Sequence, residues 1–272
     1  MSGCSTAEIE QWKRFGLPEG ASTSATEMGA LWVGAWIAAF LVGFLVWGLI
    51  LWAVIRYRRR SDDEIPTQVR YNLPIEVLYT VAPFVVIFVL FYHTVVTQNA
   101  ILNADAEKAQ NPEQILVIGQ QWSWSFNYMG KDGRDEPDES GGNDVFTVGT
   151  VADRPTLYLP VGEPVRFILR SPDVIHSFWI PSFYFKLDVI PGRVNTWTTT
   201  PTKEGTYAGK CAELCGLQHS RMLFDVKVVS RAEYDQHLQS LEDQGNTGVV
   251  MGSTEPDRIA GLDSENQNGA GE

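Results

Sequence analysis

Residues 115–128 read ILVIGQQWSWSFNY, and this stretch decides the fold class of the larger part of the chain. It is rich in β-branched and aromatic residues over a length that suits a strand. Residues 155–171, PTLYLPVGEPVRFILRS, give two more strands around a Gly-Glu-Pro turn. Further short stretches of the same strand-like composition follow at residues 176–183, 185–190, 193–200, 205–213 and 222–230. About eight short strands predict an all-β sandwich or barrel between residues 100 and 230, and we expect a small sandwich.

Two polar segments interrupt or follow this β domain. Residues 131–144, KDGRDEPDESGGND, are too polar and too rich in turn residues to pack, so we expect an exposed acidic insert. Residues 231–243, RAEYDQHLQSLED, have the composition of a short surface helix. The remaining residues to 272 lack apolar periodicity and predict a disordered acidic tail.

Upstream of the β domain lie two long apolar runs. Residues 30–55 contain no charged side chain, and neither do residues 77–97. Each is long enough to cross a hydrocarbon layer of roughly 30 Å as a helix, and Pro83 is tolerable inside a membrane helix. The sequence therefore predicts a two-helix transmembrane hairpin within residues 30–99.

The orientation of this hairpin follows from the loop between the runs. That loop is rich in arginine, at positions 56, 58, 59, 60 and 70. Such arginines normally stay in the cytoplasm, so we expect both termini and the β domain on the outer face of a bacterial plasma membrane. The start, Met-Ser-Gly-Cys, is typical of the end of a lipoprotein signal. Cys4 is then either a lipid anchor within the outer segment 1–29 or an ordinary cysteine.

The formal net charge of −12 comes from two places. The acidic insert has six acidic and two basic residues, and residues 231–272 have nine and two. A nucleic-acid binder needs a basic face, so this class of partner is excluded. Acidic segments instead suit a basic protein partner, whose encounter they would steer.

A cluster of metal-binding residue types lies in residues 211–222, CAELCGLQHSRM, and His176 adds an upstream imidazole at a strand end. Thiolates, imidazoles and a thioether favour copper. A single blue-copper ion uses one cysteine, so two cysteines favour two ions that share both thiolates. A Cys211–Cys215 disulfide and a tetrahedral zinc site are the alternatives, although Met222 is surplus to zinc.

Two ionisable residues lie in or next to the second apolar run. Glu76 stands just before it, as an interfacial acid or a functional one, and His93 lies near its outer end. For His93 we expect a structural role, since no acid accompanies it.

The spacing Cys-x-x-x-Cys-x-x-x-His-x-x-Met, with His176, QQWSWSFNY and the paired apolar runs, resembles subunit II of haem-copper cytochrome c oxidases over nearly the whole ordered chain. The resemblance implies a cupredoxin head that takes electrons from cytochrome c and passes them to haem in subunit I. There oxygen is reduced and protons are pumped. It also implies a copper A centre of two copper ions, with bridging thiolates Cys211 and Cys215, imidazoles His176 and His219, and weak ligands Met222 and the Glu213 carbonyl.

Further roles come from the same resemblance. The Glu213 carboxylate would reach a magnesium ion shared with subunit I, and Trp122 would be the exposed tryptophan through which electrons enter. Glu76 would be the acid at the entrance of a proton channel. Asp173 and Asp188 would dock the donor, which is cytochrome c or the dihaem cytochrome c of a bc complex. The acidic insert is similar to actinobacterial versions and is expected to contact that donor.

Three competing interpretations stay open at this stage. A quinol oxidase subunit II has the same fold without copper, but this chain keeps all five side-chain ligands. A membrane-tethered copper-storage module would leave Trp122 and Glu76 without a function. A purely structural anchor would hold a disulfide in place of a metal.

Overall fold

The computed structural model describes residues 6–104, 109–131 and 144–253. Cys4, nearly all of the acidic insert and the tail beyond residue 253 lie outside the described residues. The chain forms two compact units, residues 30–98 and a second unit made of residues 1–29 and 99–272.

The smaller unit contains most of the two apolar helices. A short helix, α1 (Thr6–Lys13), precedes them in the other unit, and α2 (Thr23–Arg56) and α3 (Leu73–Asn99) follow. With 34 residues, α2 is about 51 Å long at 1.5 Å per residue. Both helices are long and apolar enough to span a membrane, and their apolar stretches are unburied. The predicted pair of apolar helices is confirmed, and one π-helical turn, Ala100–Ala104, ends the second.

The larger unit is a sandwich of ten strands in its described part, against the eight or so that the pattern predicts. The strands are β1 (Glu113–Gln120), β2 (Ser123–Gly130), β3 (Val145–Val148), β4 (Thr156–Pro160), β5 (Val165–Arg170), β6 (His176–Ile180), β7 (Phe185–Val189), β8 (Asn195–Thr199), β9 (Gly205–Cys211) and β10 (Leu223–Val229). The predicted all-β sandwich after a helical anchor is confirmed.

The strands form two five-stranded sheets, in the orders β3-β2-β1-β5-β8 and β4-β10-β9-β6-β7. Most neighbours are antiparallel, but β1 pairs with β5 and β4 with β10 in parallel. Residues 115–128, which suggested one strand, form two antiparallel strands that turn at Gln121 and Trp122. Trp124, Phe126, Phe167, Phe178 and Phe224 fill the core between the sheets.

The outer face of the first sheet is covered by a segment that follows the last helix. Leu116, Ile118, Met129 and Ile168 form a second apolar cluster on that face, and Val249 packs against it. Asn127 anchors the segment through paired hydrogen bonds with the backbone of Val250, at 2.7 and 3.0 Å. Strand β1 is therefore buried on both faces along its whole length.

The last helix, α4 (Arg231–Asp243), closes the sandwich at the end where β1 begins. The Ser230 hydroxyl accepts a hydrogen bond from the Glu233 N–H and caps the helix. Arg231 forms an ion pair with Glu113, whose side chain is 2% exposed. Tyr234 and Leu241 face the core, so the predicted surface helix has one buried side.

We expect His237 of α4 to make the stability of the sandwich depend on pH. Its ring stacks on Tyr158 at 3.7 Å, and its Nε2 is buried without a hydrogen-bond partner. Burial, with a smaller effect of Lys227, lowers the pKa of His237 to about 4. An unfolded histidine has a pKa of about 6.5. Folding therefore excludes a proton, and the stabilisation present above pH 6.5 is lost as pH falls towards 4.

The variant His237→Phe keeps a stacking ring and removes the titration. As pH falls from 6.5 towards 4, we expect the free energy of unfolding of the native protein to fall by about 1–3 kcal/mol more than that of the variant. Thermal unfolding of the full chain in detergent between pH 4.5 and 7.5 measures this difference. Parallel curves for the two proteins would show that His237 does not titrate in this way.

Candidate metal centre

One end of the second sheet gathers the candidate ligands. His176 is the first residue of β6 and Cys211 is the last of β9, and these strands are antiparallel neighbours. The loop from Cys211 to Met222 joins β9 to β10 and carries the other ligands. It is closed by hydrogen bonds from Cys211 N–H to the Met222 carbonyl and from Ala212 N–H to the Ser177 carbonyl, both at 3.0 Å.

Two sulfur atoms form the middle of the cluster, with one imidazole on each side. The Sγ atoms of Cys211 and Cys215 lie 3.8 Å apart. The Nδ1 of His176 lies 3.9 Å from Cys211 Sγ, and the Nδ1 of His219 lies 3.6 Å from Cys215 Sγ. The ligand atoms of His176, Cys211 and Cys215 all lie within 4.8 Å of one another. This arrangement fits two metal ions bridged by two thiolates.

Weaker donors complete the set at both thiolates. The Met222 Sδ lies 3.7 Å from Cys215 Sγ, and the Glu213 carbonyl oxygen lies 3.2 Å from Cys211 Sγ. Thiolate, imidazole and thioether together are soft or borderline donors that suit copper. The five side chains and the carbonyl expected as ligands are thus brought together.

The disulfide alternative disagrees with this geometry. Both cysteines are free, and a disulfide needs its sulfur atoms at about 2.05 Å. The contact with Cys215 lowers the pKa of the Cys211 thiol, and the same contact raises the pKa of Cys215. A metal ion binds thiolates rather than thiols, so a bound cation would favour loss of the proton from both cysteines.

Asp173 is the partner that orients His176. Its Oδ1 lies 2.9 Å from His176 Nε2, which places a proton on Nε2 and leaves Nδ1 free to bind a metal. Burial raises the pKa of Asp173, but hydrogen bonds from His176, Gln121 N–H and Val174 N–H outweigh it, and the net pKa is lowered. Burial lowers the pKa of His176, yet Asp173 and Cys211 raise it overall.

Asp173, one of the two predicted docking acids, is nearly buried in the domain. Its side chain is only 8% exposed, and both carboxylate oxygens accept hydrogen bonds from within the domain. The carboxylate holds the candidate ligand His176 and leaves little of its own surface exposed. Asp188 differs, because it lies exposed on β7.

We expect Asp173→Ala to weaken metal binding at the intact ligand set. Without the carboxylate, His176 loses the acceptor that fixes its tautomer and ring orientation, and metal affinity should fall by about 10–100-fold. Competition with a copper chelator measures that affinity. Asp188→Ala is the matched control, and equal affinities in the two variants would argue against the positioning role.

Trp122 lies directly above the ligand loop. Its indole Nε1–H donates to the Cys215 carbonyl oxygen at 3.3 Å, and its ring packs partly against the core. Trp122 is therefore partly buried, where the resemblance implies an exposed ring. Trp124, two residues further along the chain, packs edge-on to the His176 ring, and the centroids of the two rings lie 6.1 Å apart.

Glu76 lies in the other unit, in the first turn of α3. Its Oε1 accepts a hydrogen bond from Asn72 N–H at 2.8 Å, and the Asn72 side chain receives one from Ile75 N–H. Glu76 thus helps to cap the helix, a structural role that its position before an apolar run did not reveal.

A two-helix anchor with a β-sandwich head and a thiolate-imidazole cluster defines a class, the membrane-anchored metalloproteins with a cupredoxin-like domain. Residues 114–229 match the family model for the periplasmic domain of cytochrome c oxidase subunit II, and residues 10–95 match that for its transmembrane domain. The chain belongs to the cytochrome c oxidase subunit II family, and so to a haem-copper oxidase.

Two Streptomyces relatives support this membership, and one solved structure is similar to part of the chain. The probable cytochrome c oxidase subunit 2 of Streptomyces coelicolor is 46% identical over 277 residues, covering 92% of this chain and 85% of that protein. The probable subunit 2 of Streptomyces avermitilis is 44% identical with the same coverage. The crystal structure of the periplasmic domain of subunit II from Bradyrhizobium japonicum is 27% identical, with a TM-score of 0.41, over 50% of this chain and 96% of that one.

Proposed function

We propose that this subunit accepts electrons one at a time from a c-type cytochrome at a centre of two copper ions and passes them to haem in subunit I. The observation that supports it most directly is the pair of cysteine sulfurs 3.8 Å apart with one histidine Nδ1 beside each. A copper pair in that position would share one electron over two ions and four strong donors. It would belong to the copper A type that the family implies.

The chain's own residues would keep this site nearly unchanged during electron transfer. His176, Cys211, Cys215 and Met222 are all at most 5% exposed, so water is largely excluded from the ligands. Gly119 leaves room for that packing, because a Cβ there would lie 3.3 Å from the His176 ring and 3.0 Å from Trp124. Ligands held by a rigid sandwich move little when the charge of the site changes, which favours rapid transfer.

Copper content and electron paramagnetic resonance of the oxidised full chain in detergent test the proposal. We expect two copper ions per chain and one unpaired electron spread over both, with a hyperfine pattern from two nuclei. One copper with a single-nucleus pattern, or zinc, would contradict it and favour a storage or structural site.

The remaining assignments complete the proposal. The exposed Glu213 carboxylate would reach a magnesium ion at the boundary with subunit I, and the exposed Asp188 would contribute to donor docking. The arginine-rich loop would face the cytoplasm, with both termini outside. Proton pumping by the whole oxidase, and a lipid on Cys4 as a further outer anchor, belong to the same proposal.

Glu76 would collect protons for subunit I, and Glu76→Gln separates that role from capping. Glutamine keeps an acceptor for the Asn72 N–H, so α3 should begin at the same residue, whereas the ionisable group is lost. We expect oxidase turnover to fall by about tenfold or more with the copper spectrum unchanged. If the variant shows normal turnover and normal proton uptake, Glu76 is not part of the proton path.

A further inference from the structure

One residue beside Trp122 makes two contacts that the proposed electron route does not use. The Gln121 side chain donates from Nε2 to the Cys215 carbonyl oxygen at 2.6 Å. Its backbone N–H donates to Asp173 Oδ2 at 2.7 Å. Gln121 therefore joins the turn between β1 and β2 to both segments that carry metal ligands, since Asp173 also holds His176.

The carbonyl of Cys215 accepts two donors from this turn. Gln121 Nε2 at 2.6 Å is much closer than Trp122 Nε1 at 3.3 Å, so the amide makes the stronger of the two contacts. A carbonyl oxygen has two lone pairs and can serve both. The short contact of the Gln121 amide sets how close the β1–β2 turn lies to the ligand loop. The longer hydrogen bond of the Trp122 indole forms at that separation.

Gly216 keeps this approach open from the side of the loop. Its φ of +125° is a backbone angle that residues with a side chain rarely adopt. A Cβ at this position would lie 3.0 Å from Gln121 Nε2 and 3.1 Å from Trp122 Nε1. A methyl group at position 216 would therefore press on both donors at once. The loop residue is small at the point where the two N–H groups converge.

We infer that Gln121 is a positioning residue for electron entry: its side chain holds the Trp122 indole at the carbonyl of the metal ligand Cys215. The inference rests on the proposed function of Trp122. The Gln121 amide donates to the peptide carbonyl of Cys215 and not to its thiol. Its loss should alter the placement of Trp122 and leave the ligand set intact.

The test compares Gln121→Met, which keeps the length and removes the donor, with Gly216→Ala, which displaces the same contact from the opposite side. Gln239→Met, an exposed glutamine on α4, is the control. Full chains labelled with 5-fluorotryptophan report on Trp122 by fluorine NMR without copper, with Trp122→Phe to assign the signal. The same variants in the purified oxidase give kcat and KM for a reduced c-type cytochrome, and copper content and paramagnetic resonance monitor the centre.

We expect the Trp122 signal to shift and broaden in both variants and to stay unchanged in the control. In the oxidase, kcat should fall by about five- to tenfold while KM changes less than about twofold, with two copper ions retained. An unchanged Trp122 signal would overturn the inference, and so would equal losses of copper and kcat. If the native oxidase cannot be reduced through Trp122 at all, the proposed function fails, whereas the fluorine signal still decides whether Gln121 places the ring.

Discussion

Cys215→Ser should abolish the two-copper signal of this subunit. Cys215 Sγ lies within 3.8 Å of three other candidate ligand atoms, those of Cys211, His219 and Met222, so its loss affects most of the cluster. A serine hydroxyl is a harder and weaker donor than a thiolate and cannot bridge two copper ions in the same way. We expect at most one copper per chain and complete loss of the shared-electron spectrum.

Copper analysis and paramagnetic resonance of the purified full chain check this expectation, and Met222→Leu is the comparison variant. Leucine removes only a weak donor, so the copper pair should persist with an altered reduction potential. Two coppers with the native spectrum in Cys215→Ser would mean that the thiolates do not bridge. Thermal unfolding of the metal-free protein checks that both variants are folded. We expect both to fold, because neither substitution leaves a large cavity.

The cluster of candidate ligands could be predicted from the sequence because most of it lies in one loop of twelve residues. Spacing within a loop survives any arrangement of the sheets, so Cys211, Cys215, His219 and Met222 needed little knowledge of the fold. The residues that hold the ligands have no such pattern. Gln121 lies 52 residues from Asp173 and 94 from Cys215, and only the packing of β1, β6 and the loop brings them together.

Asp173 shows what the sequence did not reveal about a predicted docking acid. The family resemblance made it a candidate docking acid, and its position three residues before His176 was the available signal for a further role. A carboxylate hydrogen-bonded to a metal-binding histidine is common, and it orients the ring. That the side chain points inward could be known only from the fold, which buries 92% of it.

The sandwich itself was predictable, but its topology was not. Alternating short strands and turns indicate a β domain locally, whereas the parallel pairing of β1 with β5 depends on contacts about 50 residues apart. The turn at Gln121 and Trp122 contains no glycine or proline, so nothing marked the end of β1. The continuous apolar run of β1 was a readable sign of burial on both faces, which the segment around Val249 provides.

Trp122→Ala should slow electron entry more than any substitution outside the ligand set. The indole packs on the core and hydrogen-bonds to the carbonyl of the candidate ligand Cys215, so it connects the turn that carries it with the ligand loop. Alanine would leave a gap between a docked donor and the loop. We expect the rate of copper reduction by a c-type cytochrome to fall by about 100-fold, with two coppers still bound.

Rapid mixing of the oxidase with reduced cytochrome measures this rate, and two further variants separate its causes. Trp122→Phe keeps an aromatic ring and loses the N–H donor, so a smaller decrease there would divide the effect between the ring and its hydrogen bond. Trp12→Ala removes a 76% exposed tryptophan from α1 and should leave the rate unchanged. Equal rates for the native protein and Trp122→Ala would place electron entry elsewhere, and the exposed Leu214 and Leu217 of the ligand loop would then be the next surface to substitute, because both lie between metal ligands.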